Sequence, residues 1–251
     1  NILVVGGTAS GKTSLLNVLT TLIPPSHRII SIEDTREIQL PGFLHWVPLT
    51  TRPANPEGKG EVTMLDLMIN SLRMRPDRII VGEIRRAREA EVLFEAIHTG
   101  HSVYSTIHAN TAEETIKRLI NPPIGLPMSM LGALDLIAVM HRDRRKEIRR
   151  LLEVVELAGS GSDKSVEPNP VFRWIPSDEI ITLNKPTRVL NQLKLYAGMD
   201  YDAFVQDQRQ RVAVLDWLVK GKVNDIDAVG KIISEYYNSK DKVLKRVGYK
   251  D

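Results

Sequence analysis

Along the first 158 residues, short apolar runs that stop at glycine or an acid alternate with stretches whose apolar positions recur every three or four. Ile2, Leu3, Val4 and Val5 form one such run, halted by Gly6 and Gly7, and read as a buried parallel strand. From Lys12 the apolar positions are Leu15, Leu16, Leu19, Leu22 and Ile23, a helical spacing closed by Pro24 and Pro25. Residues 28–32 predict a second strand that leads into Glu33 and Asp34. Residues 38–56 hold Pro41, Gly42, Pro48, Pro53 and Pro56 and read as an irregular or hairpin insertion.

Val62, Leu65, Ile69 and Leu72 mark the next helix, and 78–81 a third strand. A helix over 87–98 stops at Gly100, and a fourth strand covers 102–107. Further helices are expected at 112–120 and 127–136, then strands at 136–140 and 151–155. This alternation predicts an α/β fold with a mostly parallel sheet flanked by helices. Ligands of such sheets sit beyond the carboxyl ends of the strands. The suggestive polar groups all follow strands: the 6–13 segment, Glu33 to Glu37, Gly82 with Glu83, and His108.

Residues 159–165 read as a loop or linker rich in glycine and serine. Two strand-like stretches follow near 172–175 and 179–183, then helices over about 199–220 and 225–238. The last helix places Val229, Ile232, Ile233, Tyr236 and Tyr237 on one face. The expected layout is a core over 1–158, a loop over 159–170 and a small α+β appendage over 171–251. The appendage carries no catalytic motif and reads as a packing or interaction element. Because Asn1 comes directly before a core strand, further sequence is expected ahead of it.

Composition narrows this picture little. Hydrophobic residues make up 42% and charged residues 26% of 251, ordinary for a globular chain. Cysteine is absent, so there is no disulfide partner and no thiolate metal site. The net charge of +3 lacks the clustered basic face of a nucleic-acid binder, and a nucleic acid partner is not expected. The densest basic run, from Arg142 through Arg144, Arg145, Lys146 and Arg149 to Arg150, reads as a solvated turn, with contact to a partner or anionic lipid as the alternative.

The chemistry starts at Gly6, Gly7, Thr8, Ala9, Ser10, Gly11, Lys12 and Thr13, which satisfy G-x-x-x-x-G-K-[ST] after a strand and at a helix start. Glycines let backbone N–H groups wrap a phosphate, and the helix N-terminus adds partial positive charge. Lys12 would reach the β- and γ-phosphates of ATP, and Thr13 would put its hydroxyl on Mg²⁺. The alternative is a tight glycine turn beside a surface lysine. Glu83, after an apolar strand, fits a carboxylate that holds Mg²⁺ or polarises water; the alternative is a strand-end acid paired with Arg85. Glu33, Asp34 and Glu37 follow another strand, and one of them aimed at an attacking water is the economical purpose. His108, after its strand, could hydrogen-bond a γ-phosphate. His101, before it, is more easily structural.

Taken together these motifs resemble the secretion and pilus motor ATPases of type II and type IV systems, within the RecA-like P-loop class. The stretch from Glu33 to Glu37 looks like that family's Asp box, 73–85 like its Walker B segment, and 99–110 like its His box. Thr35 and Arg36 in the Asp box, and Asn121 to Pro127, look more like the archaeal archaellum and pilus branch. The resemblance implies Glu37, Glu83, His108 and Lys12 as catalytic residues. It implies nucleotide contacts from 6–13, Ser14, Arg85 and His101, with Thr13 and Glu83 on the metal. It further implies ATP and Mg²⁺ as cofactors, a homo-hexamer, and an inner-membrane platform protein as partner. The expected location is the cytoplasmic face of that membrane. It also implies an N-terminal domain outside these 251 residues that closes over the nucleotide and contributes arginines.

Overall fold

The computed structural model describes residues 1–159, 166–177 and 179–249. Residues 160–165, half of the loop expected over 159–170, lie outside the described residues. The chain divides into two compact units. The first comprises 1–16, 28–38 and 46–188; the second comprises 17–27, 39–45 and the chain from Val189 on.

The first unit is built on a sheet of strands β1 (Ile2–Gly6), β2 (Ile29–Glu33), β3 (Trp46–Thr50), β4 (Arg78–Val81), β5 (Ser102–Ile107), β6 (Leu136–Asp143), β7 (Ile148–Gly159), β8 (Val166–Ile175) and β9 (Glu179–Thr182). Their spatial order is β3-β2-β4-β5-β1-β6-β7-β8-β9. Pairing is parallel from β3 to β6 and antiparallel from β6 to β9. The central strands are continuous apolar runs because they are covered on both faces: every residue of β2 is buried. Helices α2 (Met64–Ser71), α3 (Ala87–His98), α4 (Ala112–Ile120) and the short α5 (Met128–Leu131) accompany the sheet. Phe94 of α3 is fully buried in the core with Leu3, Ile32, Ile107 and Ile137.

Register decides where the chemistry can meet. Val5 pairs with Ile107, Ser105 with Val81, and Val81 with Ile32. The carboxyl ends of β1, β5, β4 and β2 therefore lie along one rim, so Gly6, His108, Glu83 and Glu33 arrive side by side. Helix α1 (Lys12–Thr21) starts on this rim, and its turn closes with the Leu15 N–H donating to the Gly11 carbonyl at 2.9 Å.

Three expectations are corrected. The stretch 38–56 contains a parallel strand, β3, despite Pro48. Among the described residues β3 pairs only with β2, and an edge strand tolerates a proline that cannot donate to a ladder. The helix expected over 127–136 is a single turn that ends before Gly132, while the strand expected at 136–140 is present and runs on to Asp143 as β6. Glycine is a poor helix former and marks the stop. Beyond β9 the described residues form four helices rather than two: α6 (Arg188–Ala197), α7 (Tyr201–Lys220), α8 (Ile226–Asn238) and α9 (Lys240–Arg246). Helix α6 buries none of its residues, although Val189, Leu190, Leu193 and Ala197 recur at helical spacing.

The second unit has its own core, in which Val214 and Leu218 of α7 meet Tyr236, Val243 and Leu244. Asp207 ties α7 to α9, accepting from Arg211 Nε at 2.6 Å and from Lys240 Nζ at 3.0 Å. Burial pushes the Asp207 carboxyl up, but the bonds and charges of Arg211 and Lys240 outweigh it and hold the group below the usual range. A depressed folded-state value means stability that is present above the unfolded value of about 4 and is lost as pH falls through the folded one. Asp207→Asn is expected to lower stability at pH 7 by about 1–2 kcal/mol, with the gap from the parent closing below about pH 4. Urea unfolding at both pH values checks this. Among the described residues no helix is long and apolar enough to cross a membrane.

Candidate functional site

The loop between β1 and α1 is shaped by its glycines. Gly6 has φ +155°, and a Cβ there would strike Ser10 Oγ and come within 2.6 Å of the Met140 carbonyl oxygen. β1 thus ends with no room for a side chain, because neighbouring β6 crowds it. The loop then bends through Ala9, which is left-handed at φ 57°. Lys12 folds back over this loop, with Nζ donating to the Gly6 carbonyl at 3.0 Å and to the Gly7 carbonyl at 3.1 Å. Burial lowers the Lys12 ammonium from its ordinary value, and the nearby Glu83 charge opposes that shift. One half-buried cation is thereby held where phosphate oxygens would lie.

Facing it are the acids of the rim. Glu33, at the end of β2, is buried, and its Oε1 accepts the backbone N–H groups of Glu37 and Ile38, both at 3.0 Å. Glu33 is therefore the brace of the loop that carries Glu37. Of the three clustered acids, it is the one whose lone pairs the backbone occupies. Glu33→Gln is expected to weaken this brace and cost about 1–3 kcal/mol of stability, read by thermal unfolding. Asp34 and Glu37 are exposed on the same loop.

Arg85 links the two acidic strands' ends. It donates to Glu83 Oε2 at 2.7 Å and to Asp34 Oδ2 at 3.0 Å, and its own pKa is raised by those carboxylates, Glu83 first. His108 Nε2 stands 3.4 Å from Glu83 Oε1. A cleft of about 250 Å³ is lined by Lys12, Thr13, Glu37, Glu83, Arg85 and His108, among others. The structure thus brings together all four residues expected to be catalytic, along with Thr13 and Arg85. Ser14 is exposed on α1 and does not line the cleft. His101 is not brought to it. It precedes β5, whereas His108 follows it, so the strand's six residues, about 20 Å, separate them. There His101 Nδ1 lies 3.2 Å from the Ala96 carbonyl and 3.2 Å from Thr99 Oγ1.

Several residues that sequence reasoning passed over hold this arrangement. Buried Glu89 accepts the N–H groups of Arg85 and Arg86, each at 3.0 Å, and so fixes the chain that presents Arg85. The signal for it is the acid three residues after Arg86 at a helix start. Thr106 Oγ1 donates to the Gly82 carbonyl at 2.6 Å, locking β5 to the segment before Glu83. Arg36 stacks over Trp46 with its guanidinium carbon 4.8 Å from the ring centroid, which fixes the middle of the 34–37 loop on β3.

The donor set can be tested against Mg²⁺. Among the described residues, no group of three or more His, Asp and Glu side chains converges as a metal cage. Mg²⁺ is characteristically held by one or two side chains together with substrate phosphates and water. Thr13 and Glu83, both lining this cleft, fit that pattern and would hold the ion.

A parallel sheet with a phosphate-wrapping loop after its central strand, and an acid after a strand one removed from it, defines a RecA-like P-loop nucleotide-binding fold. The family described as Type II/IV secretion system protein matches residues 1–146, more than half of the sequence. This chain belongs to that family. It is 37% identical over 237 residues to the uncharacterized Methanocaldococcus jannaschii protein MJ1287, covering 92% of this chain and 86% of that protein. It is 38% identical over 168 residues to the conjugal transfer protein TrbB of Rhizobium radiobacter, covering 63% of this chain and 49% of TrbB. The crystal structure of the VirB11 ATPase from the Brucella suis type IV secretion system in complex with sulphate superimposes with a TM-score of 0.53 and 32% identity. That match covers 62% of this chain and 47% of VirB11, so the chain spans about half the length of TrbB and of VirB11.

Proposed function

We propose that this chain binds ATP with Mg²⁺ at the 6–13 loop, hydrolyses it, and works as the motor of a secretion or pilus-type machine. The observation that carries the reading is the single cleft where Lys12 and Thr13 face Glu37, Glu83 and His108. In this reading Lys12 and the loop N–H groups bind the phosphates. Glu37 orients the attacking water and takes its proton, held in place through Glu33. Glu83 stands across from Thr13, and His108 lies beside it, within reach of the transferred phosphoryl group. Arg85, tied to Glu83 and Asp34, sets the spacing of the two acidic segments. Mg²⁺ supplies charge neutralisation on the phosphate oxygens when bound.

The finer terms of the proposal follow from the family: a homo-hexamer on the cytoplasmic face of the inner membrane, coupled to a platform protein there. The similarity to a conjugal transfer protein supports a second reading, in which the transported cargo is DNA. The test is phosphate release by the purified chain with Mg²⁺·ATP, in the presence and absence of EDTA and of single-stranded DNA. Absence of both ATP binding and Mg²⁺-dependent release overturns the proposal. Stimulation by DNA selects the second reading over the first.

A further inference from the structure

Helix α1 and strand β1 shape the 6–13 loop from one side; the β6–β7 hairpin closes on it from the other. Arg149 of β7 donates from Nε to the Ala9 carbonyl at 2.9 Å. Its Cδ would lie 3.4 Å from a Cβ on Gly11, and the Met140 methyl 3.3 Å from the same point. Gly11 has φ +97°, so this tight approach is made against a residue that is already required to be glycine. Among the described residues the Ala9 bond is the only side-chain hydrogen bond that Arg149 makes. A guanidinium has five N–H donors in one plane, and a single one of them is used here.

The charge pattern of the hairpin asks for an anion. Arg142 lies directly opposite Arg149. Like charges placed opposite one another across an antiparallel pair are destabilising. Among the described residues neither Arg142 nor Arg149 is in an ion pair. Of the two acids at the turn, Asp143 is occupied by the backbone N–H groups of Arg145 at 2.8 Å and Lys146 at 3.1 Å, and Glu147, left-handed at φ 53°, forms no ion pair with either arginine among the described residues. A repulsive pair kept beside a phosphate-wrapping loop has a purpose if the counter-charge comes with the ligand.

We infer that Arg149 is a phosphate-contacting residue: tethered through Nε to the Ala9 carbonyl, it turns its terminal N–H groups to the phosphate chain of the nucleotide held by the 6–13 loop. The inference rests on the nucleotide reading of that loop. It adds a cation supplied by this chain, from the strand pair after the parallel sheet, to the one that the loop itself carries. Arginine suits the task because Nε can donate to the carbonyl anchor while the terminal N–H groups of the same planar fork stay free to donate to phosphate oxygens.

The test measures binding of Mg²⁺·ATP and Mg²⁺·ADP by titration calorimetry over a range of salt concentrations. It compares the parent chain, Arg149→Met, Arg149→Lys and Lys12→Ala. Arg149→Met is expected to weaken both nucleotides by about tenfold or more, the scale of a lost charge-assisted bond. Its affinity should also fall less steeply with salt than the parent's, since one screened attraction is gone. Arg149→Lys should recover part of the affinity and the parent's salt dependence. Arg149→Gln serves in place of Met if that variant unfolds on heating before the parent does. Parent-like affinity in Arg149→Met overturns the inference. So does weakened affinity with an unchanged salt dependence, which is the mark of a residue that merely shapes the loop. In both of those cases Lys12→Ala still loses binding, and the nucleotide reading stands. If the parent binds neither nucleotide, both readings fall together.

Discussion

Lys12→Ala is expected to abolish productive ATP binding and to lower any turnover by at least about 10²–10³-fold, the cost of removing one preorganised group from a developing phosphoryl charge. In the proposed reading the lysine is the point charge on the β- and γ-phosphates, a place that neither Arg85 nor Arg149 can take over. Arg85 is committed to Glu83 and Asp34 by bonds of 2.7 and 3.0 Å. The fold should survive the change, because Lys12 bonds only to carbonyls of its own loop, Gly6 and Gly7, which water can satisfy in its place. Nucleotide titration and phosphate release on a variant with parent-like circular dichroism provide the measurement. Parent-like binding and turnover in such a variant would remove the basis for placing phosphates at this loop.

Glu37→Gln is expected to leave ATP bound but slow its hydrolysis by about 10²–10⁴-fold, the contribution of a positioned general base. The change is nearly isosteric and leaves the backbone anchor alone, since it is the Glu37 N–H, not its carboxyl, that Glu33 holds. The kinetic signature should be a fall in kcat with little change in the affinity for Mg²⁺·ATP, as an interaction made in the transition state requires. Single-turnover hydrolysis with direct nucleotide titration separates the two quantities. Hydrolysis at the parent rate would move the base to another carboxylate of the cleft, of which Glu83 lies 3.4 Å from His108.

Much of this site is legible in the linear chain. The 6–13 loop is local: its glycines, Lys12 and Thr13 work through neighbours within one turn, so a motif read in one dimension names them. The same holds for the acids and His108 that end strands, because an apolar run followed by a polar residue marks the rim where ligands of such sheets bind. The linear chain does not rank the three acids of the 33–37 loop. Burial and two backbone N–H bonds make Glu33 a brace, and nothing in its spacing differs from that of an acid free to act. The order of the chain does separate His108, which follows its strand, from His101, which precedes it; the parallel pairing of that strand puts only His108 at the rim and leaves the nucleotide contact that the resemblance implies for His101 at the opposite end.

The sequence by itself determined the fold class, the phosphate loop and the identity of the groups at the strand ends, since each of these rests on local periodicity and on residue chemistry within a few positions. Only the tertiary structure decided that β3 is an edge strand that can hold Pro48, that Thr106 fixes the segment bearing Glu83, and that Arg149 reaches Ala9 from 140 residues away. The physical reason is common to all three. Sheet order and register bring together strands that are distant in the chain, and hydrogen bonds between them depend on that pairing rather than on any pattern that a single segment carries.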